Sequence, residues 1–368
     1  MIADPDLETF TVEARSWLAD HRSQAPRDYG AILPPDLHDA AVRWQRALFD
    51  AGFAGITWPT EFGGRGLSVD HQVAWITECA RAQVPPFLNM VGYVLAGGSI
   101  RVFGTPDQQQ RHLRPILTGE AVWCQLFSEP DAGSDLASLS TSAMRDGDRF
   151  IVNGQKVWCS NGRVADWGIL MARTDPSARP HRGISFFLMD MSLPGVETRP
   201  LRQMNGEAEF DEVFLSGVEV PAECLVGDLN DGWRVAMATL TNERGYIGAA
   251  GISLGRRIDG LLSEVSDLDS NERQRLVEAW IRGKSLWMTG QRQGPVATIL
   301  GSITKLGTTE LMFDLAELQA DLAGAEAMLD NSAVTGLMSA PGARIAGGTS
   351  QVQRNLIGER ILGLPKAP

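Results

Sequence analysis

Phe150-Ile151-Val152-Asn153-Gly154-Gln155-Lys156-Val157-Trp158-Cys159-Ser160-Asn161-Gly162 decides the fold class, because it breaks into a chain that otherwise reads as helix. Phe150-Ile151-Val152 and Lys156-Val157-Trp158 are strand-like runs on either side of Asn153-Gly154. That pair tolerates the positive φ angles of a tight turn, so the stretch predicts a hairpin. Gly183 to Met191 and Glu209 to Val220 read as further strands, and the β texture runs from about Ala121 to Gly227. On its N-terminal side, from about Asp6 to Gly119, apolar residues recur three and four apart, as in Leu37 to Ala51. After Asp231 the helical period returns. Leu311, Leu315, Leu318, Leu322, Ala325 and Leu329 predict the seam of one long helix in a bundle. The expected class is α+β. A helical domain spans residues 1–120, a β domain 121–228 and a C-terminal four-helix bundle 229–368.

The 368 residues carry 33 basic and 45 acidic side chains, a net charge of −12, and 43% of them are hydrophobic. This is a globular composition. Its acidic balance argues against nucleic acid or an anionic membrane surface as a partner. Met1 to Phe10 is acidic where a signal peptide is basic and then apolar, and no long apolar run appears, so a cytoplasmic location is expected. Cys79, Cys124, Cys159 and Cys224 form no CxxC pair and the histidines have no ligand spacing, so reduced thiols and no metal are expected. Gly63-Gly64-Arg65-Gly66 follows no strand and lacks the spacing of a dinucleotide fingerprint, which makes it a loop.

The run Leu126-Phe127-Ser128-Glu129-Pro130-Asp131-Ala132-Gly133-Ser134-Asp135-Leu136-Ala137-Ser138 resembles the first signature of the acyl-CoA dehydrogenase flavoprotein family. Ala51-Gly52-Phe53 through Trp58-Pro59, Phe103-Gly104-Thr105, and Asn153 to Gly162 agree with it in order. So do Gly348-Thr349-Ser350-Gln351-Val352-Gln353-Arg354-Asn355 and Gly358-Glu359-Arg360. The resemblance implies an acyl-CoA dehydrogenase-like fold with a middle β-barrel, and FAD held between the β domain and the C-terminal helices. Gln125, Phe127 and Ser128 would hold the flavin edge, while Gly133 and Ser134 would approach the diphosphate or the acyl-CoA. Trp158 would pack on the isoalloxazine with Ser160 near N5, and Thr349 and Gln351 would make further FAD contacts. Taken alone, Trp158 reads as a core aromatic of a hairpin, and it is the adjoining Ser160-Asn161-Gly162 that favours the flavin contact. Glu129, Asp131 and Asp135 read as turn or hydrogen-bonding residues.

The implied reaction is α,β-dehydrogenation of an acyl-CoA thioester, which needs one carboxylate base and donors at the thioester oxygen. Many family members carry that base directly before the Gly-Thr of the last motif, where this chain has Gly347. A minority, including the isovaleryl type, carry it before a helix arginine, and Glu243-Arg244 matches that pattern. Glu243 is therefore the expected base, with the Gly347 amide at the thioester carbonyl. Electrons would pass to an electron-transferring flavoprotein. An acyl-CoA oxidase and a non-catalytic or half-site subunit stay open as alternatives.

Gly97-Gly98, Gly245, Gly248 and Gly251 signal either close helix packing or room for a bulky acyl group. The resemblance also concerns assembly. Homotetrameric relatives carry an Arg-x-x-Phe-Gly segment and a Gln-x-x-Gly-Gly-x-Gly segment that grip a neighbour's FAD diphosphate. Here those regions read Ser266-Asp267-Leu268-Asp269-Ser270-Asn271 and Thr335 to Pro341. A homo- or hetero-tetramer with a related chain is expected, and the missing grip favours a heteromer in which this chain brings the base.

Overall fold

The computed structural model describes residues 6–27, 29, 32–249, 251–264, 268–290, 292 and 297–365. Side chains of residues 241–249, 251–253, 256, 257, 263, 264 and 297–299 lie outside that description. The chain divides into two compact units, Met1–Arg202 with Ala208–Thr239 and Gln203–Glu207 with Leu240–Pro368.

The first unit opens with α1 (Leu7–His21), started by Asp6, whose side chain accepts from the Thr9 amide at 2.8 Å. The expected amphipathic helix is α2 (His38–Asp50), which buries Ala41, Trp44, Gln45 and Leu48 along one face. Next come α3 (Val69–Ala82), α4 (Gly97–Phe103) and α5 (Pro106–Thr118). Thr105 and Gln108 cap the start of α5 reciprocally, and Pro106 occupies its first turn, where no amide partner is lost. Phe53 stacks on Trp75 with ring centroids 4.5 Å apart, so this layer packs largely through aromatics. Gly97 lies against Trp58, whose ring would come within 2.3 Å of a Cβ at that position. Close packing therefore explains that glycine.

Eight strands follow: β1 (Trp123–Leu126), β2 (Ser142–Asp146), β3 (Arg149–Ser160), β4 (Trp167–Arg173), β5 (Ile184–Asp190), β6 (Val196–Leu201), β7 (Phe210–Pro221) and β8 (Leu225–Val226). Their order is β6-β7-β3-β2-β4-β5-β8, with β1 parallel to β4. Inward residues of six strands, among them Leu126, Phe150, Leu170, Phe187 and Val213, converge on one barrel-like core. Asn89 Nδ2 donates to the Trp123 carbonyl at 2.6 Å, and Gln108 Nε2 donates to the carbonyls of Glu223 and Leu225. These bonds fasten the helices to the sheet.

The expected hairpin at Asn153-Gly154 is not there. β3 runs unbroken through both residues, and its register against β7 slips between Val152 and Gly154, which marks a β-bulge. A Cβ at Gly154 would come within 2.3 Å of Thr141 Oγ1, so the glycine admits a neighbouring strand where a side chain would collide with it. The actual turn is Gly147-Asp148, two residues linking the Asp146–Arg149 pair of β2 and β3, with Gly147 at φ +62°.

The second unit is helical. α6 (Gly232–Ala249) leads into it, followed by α7 (Gly251–Glu264), α8 (Ser270–Gly290), α9 (Ala297–Ala323), α10 (Ser332–Ile345) and α11 (Ser350–Leu356). Leu311, Leu315 and Leu318 form the buried seam of α9 against Leu254, Ile258, Leu276 and Ala279, as expected. The seam is shorter than its sequence period suggests. α9 ends at Ala323, Gly324 turns left-handed at φ +54°, and Leu329 is exposed beyond a short 3-10 segment. With its helices, sheet and second helical unit, the chain is of the α+β class.

Candidate active site

β1 delivers Gln125 into the ladder with β4, and the chain then leaves the sheet through Phe127-Ser128-Glu129. Phe127 is buried edge-on against Phe186, with centroids 5.8 Å apart. Lys156, fully buried on β3, donates from Nζ to the Phe127 carbonyl at 3.0 Å and to Glu129 Oε1 at 2.8 Å. The Val157 amide donates to the Ser128 carbonyl at 2.9 Å. Glu129 also accepts from the Ser140 amide and hydroxyl and from the Thr141 amide, at 2.7, 2.8 and 2.9 Å. Burial alone raises its carboxyl, but the Lys156 ammonium and these donors outweigh that and hold it down at about 2. Glu129 is thus a buried anchor. Gly133 and Ser134 are exposed further along, and among the described residues none beyond its two chain neighbours comes within 4 Å of where a Gly133 Cβ would stand.

Trp158 adopts φ +60°, a left-handed conformation that an aromatic residue rarely takes. The β3–β7 register slips again between Lys156 and Cys159, and the bulge turns the indole outward. It is 56% exposed, touching Phe210 edge-on at 5.8 Å, and so is no core aromatic. Half-buried Ser160 ends the strand. Buried Asn161 follows at φ +66°, its Nδ2 on the Leu33 carbonyl at 2.6 Å.

The second unit holds the last motif. Gly347 and Gly348 lie at φ +64° and +89°. Gln353 Nε2 donates to the Gly347 carbonyl at 3.1 Å, and Lys305 Nζ donates to the Gly348 carbonyl at 2.7 Å. Thr349 caps α11 by accepting from the Val352 amide at 3.1 Å, and Gln351 is exposed on its first turn. Glu243 and Arg244 fall on α6, but their side chains lie outside the described residues, as do those around Gly245, Gly248 and Gly251. Ser266 and Asp267 lie outside them too.

The first unit therefore brings Ser128, Lys156, Trp158 and Ser160 together on adjoining backbone, with Gln125 and Phe127 at its root. An outward indole beside tethered main chain suits a flat ring with a polar edge, and the open Gly133-Ser134 backbone suits an anion. Lys156, Asn161, Lys305 and Gln353 were not among the expected site residues. A lysine between strand-forming residues is the one sequence signal that could have found the first of them.

Comparison with known proteins shows the family. Residues 5–120, 124–218 and 284–362 match the N-terminal, middle and C-terminal domains of acyl-CoA dehydrogenases. The chain belongs to the acyl-CoA dehydrogenase family, whose members are flavoprotein oxidoreductases acting on acyl-CoA. It is 38% identical to acyl-CoA dehydrogenase IpdE1 of Mycobacterium tuberculosis, with 98% of both chains covered. Among solved structures it resembles the Tcur3481-Tcur3483 steroid ACAD, at a TM-score of 0.86 and 25% identity over 100% of both chains. It also resembles the ChsE4-ChsE5 complex of Mycobacterium tuberculosis, at a TM-score of 0.80 and 26% identity over 100% of both chains. No helix among the described residues is long and apolar enough to cross a membrane.

Proposed function

We propose that this chain binds FAD and desaturates a bulky, ring-bearing acyl-CoA at its α,β bond as the base-bearing subunit of a heterotetramer with a related chain. The observation that carries the reading is Trp158, an indole turned outward on strained backbone beside Ser128 and Ser160. FAD would supply the acceptor for the β hydrogen as hydride. Ser128 and its neighbouring main chain would hold the ring edge, Trp158 would cover the ring, and Thr349 and Gln351 would make further contacts with the cofactor. Glu243 removes the α proton, Arg244 orients it, and the Gly347 amide polarises the thioester carbonyl. The electrons leave to an electron-transferring flavoprotein.

Two observations support the assembly. The sequence lacks both segments that grip a neighbour's diphosphate, and two of the structural relatives, the Tcur3481-Tcur3483 steroid ACAD and the ChsE4-ChsE5 complex, pair two named chains. α8 also leaves Val277, Trp280, Ile281, Trp287 and Met288 exposed to solvent, on the flank of its packed residues Leu276, Ala279 and Gly283 and beyond them. An apolar stripe of that kind marks a surface made for contact.

FAD per chain decides the reading, measured on the protein expressed alone and co-expressed with a related chain from the same genome. Flavin-poor protein alone, flavin-loaded complex, and anaerobic bleaching by a ring-bearing acyl-CoA are the expected results. A fully active homotetramer with one FAD per subunit overturns the heteromer. A complex without flavin overturns the enzyme.

A further inference from the structure

The buried Lys156–Glu129 pair does more than fill the base of the sheet. Lys156 is wholly buried and has two partners at once, the Glu129 carboxylate at 2.8 Å and the main-chain carbonyl of Phe127 at 3.0 Å. A carboxylate alone would satisfy the charge. The second bond fixes a peptide plane.

That plane joins Phe127 to Ser128. The peptide is planar and trans, so the Ser128 N–H points opposite to the Phe127 carbonyl. Pulling the carbonyl inward onto Nζ therefore turns the Ser128 amide outward, away from the ammonium. The next plane is held as well, because the Val157 amide donates to the Ser128 carbonyl at 2.9 Å. Lys156 and Val157 immediately precede Trp158 on β3, so the strand that presents the indole also sets the direction of the Ser128 amide. Glu129 completes the arrangement from the other side. Its carboxylate ties down Ser140 and Thr141 through three hydrogen bonds, which leaves Lys156 a fixed anion to rest on.

We infer that Lys156 is a positioning residue for the flavin, aiming the Ser128 amide at the polar edge of the ring that Trp158 covers, with Glu129 holding the lysine in place. The inference rests on the FAD reading above and goes beyond it, since neither residue touches the cofactor in that reading. Both act through backbone that does. The role is distinct from simple stabilisation. A buried ion pair can be exchanged for neutral residues of similar volume at little cost to the fold, whereas the direction of one amide cannot be kept that way.

The test is Lys156→Met/Glu129→Gln, which removes both charges together, compared with the wild type in the complex or alone, whichever holds flavin. The expected result is an unchanged far-ultraviolet circular dichroism spectrum and an apoprotein melting temperature close to wild type. FAD dissociation should rise at least about tenfold, the size of one lost hydrogen bond, and the flavin absorption band should lose its resolved shoulders. Should the double variant not fold, Ser128→Pro, which removes the amide hydrogen and the hydroxyl with the ion pair left in place, is compared with Ser128→Ala, which removes the hydroxyl alone, so that the difference between them reads the amide. Wild-type FAD affinity and spectrum in the folded double variant, or no difference between Ser128→Pro and Ser128→Ala, overturn the inference and leave the FAD reading standing. Wild-type protein that takes up no FAD in any assembly overturns the reading itself.

Discussion

Asn161 Nδ2 donates to the carbonyl of Leu33 at 2.6 Å, fastening the residue after Ser160 to a loop 128 positions earlier in the chain. The amide is buried and its backbone sits at φ +66°, where asparagine is tolerated better than most side chains. Asn161→Ala loses the donor to a buried carbonyl and adds left-handed strain, about 2–3 kcal/mol together. Asn161→Gly loses only the bond, about 1–2 kcal/mol. Urea unfolding of the two variants should therefore rank glycine as the milder, and the opposite ranking would show that conformation plays no part.

Trp158 separates function from stability in the other direction. Its side chain is 56% exposed, so little burial is lost on removing it, and glycine relieves the φ of +60°. Trp158→Gly should leave the apoprotein equal in stability or up to about 1 kcal/mol firmer. FAD binding should weaken at least about tenfold. Fluorescence titration with FAD beside thermal melting reads both quantities, and a destabilised variant with intact FAD affinity contradicts the placement of the indole against the ring.

Acid should weaken the first unit before its carboxylates protonate. His112 is buried edge-on against Trp123 and Trp167, and burial, with the charge of Arg111 adding to it, pushes its imidazole down to about 4. The unfolded chain takes up this proton near the ordinary value of about 6.5, whereas the folded chain does not until about 4. Stability present above 6.5 is accordingly lost as the pH falls from there toward 4, by on the order of 3 kcal/mol at most. His112→Phe should flatten the melting temperature between pH 7 and pH 5. Glu129 acts lower on the scale, because its depressed carboxyl contributes stability above about 4.5 that is lost as the pH falls toward about 2.

The sequence period located α2 and the buried seam of α9 because those helices bury a stripe that local spacing records. Asn153-Gly154 misled because the same chemistry serves a tight turn and a bulge, and the choice was made by Thr141, just ahead of β2. The outward pose of Trp158 was hidden for a related reason. A bulge is a register shift between two strands, β3 and β7, and neither sequence alone contains it. Gly97-Gly98 read as packing more readily than as pocket, and the Trp58 ring settled Gly97 as packing. The family motifs named Ser128, Trp158 and Ser160, but Lys156 and Glu129 became meaningful only when the fold placed them 2.8 Å apart.

The identity of the base yields the sharpest prediction. Gly347 stands where many relatives carry the carboxylate, and its backbone lies at φ +64°, with its own carbonyl fastened by Gln353 and that of Gly348 by Lys305. A glutamate introduced there has to adopt a left-handed conformation at a cost of about 1 kcal/mol or more, and it disturbs the amide proposed for the thioester oxygen. Glu243, on α6, carries no such penalty as the proposed base. Glu243→Gln should keep the fold and any bound flavin while anaerobic flavin reduction slows about a hundredfold or more, the usual size of a general-base contribution. Gly347→Glu in that background should recover only a small part of the rate. Stopped-flow reduction with the same acyl-CoA measures all three proteins. Unchanged reduction in Glu243→Gln removes Glu243 from the mechanism, while full recovery by Gly347→Glu shows that the left-handed backbone at 347 places no limit on where the base can stand.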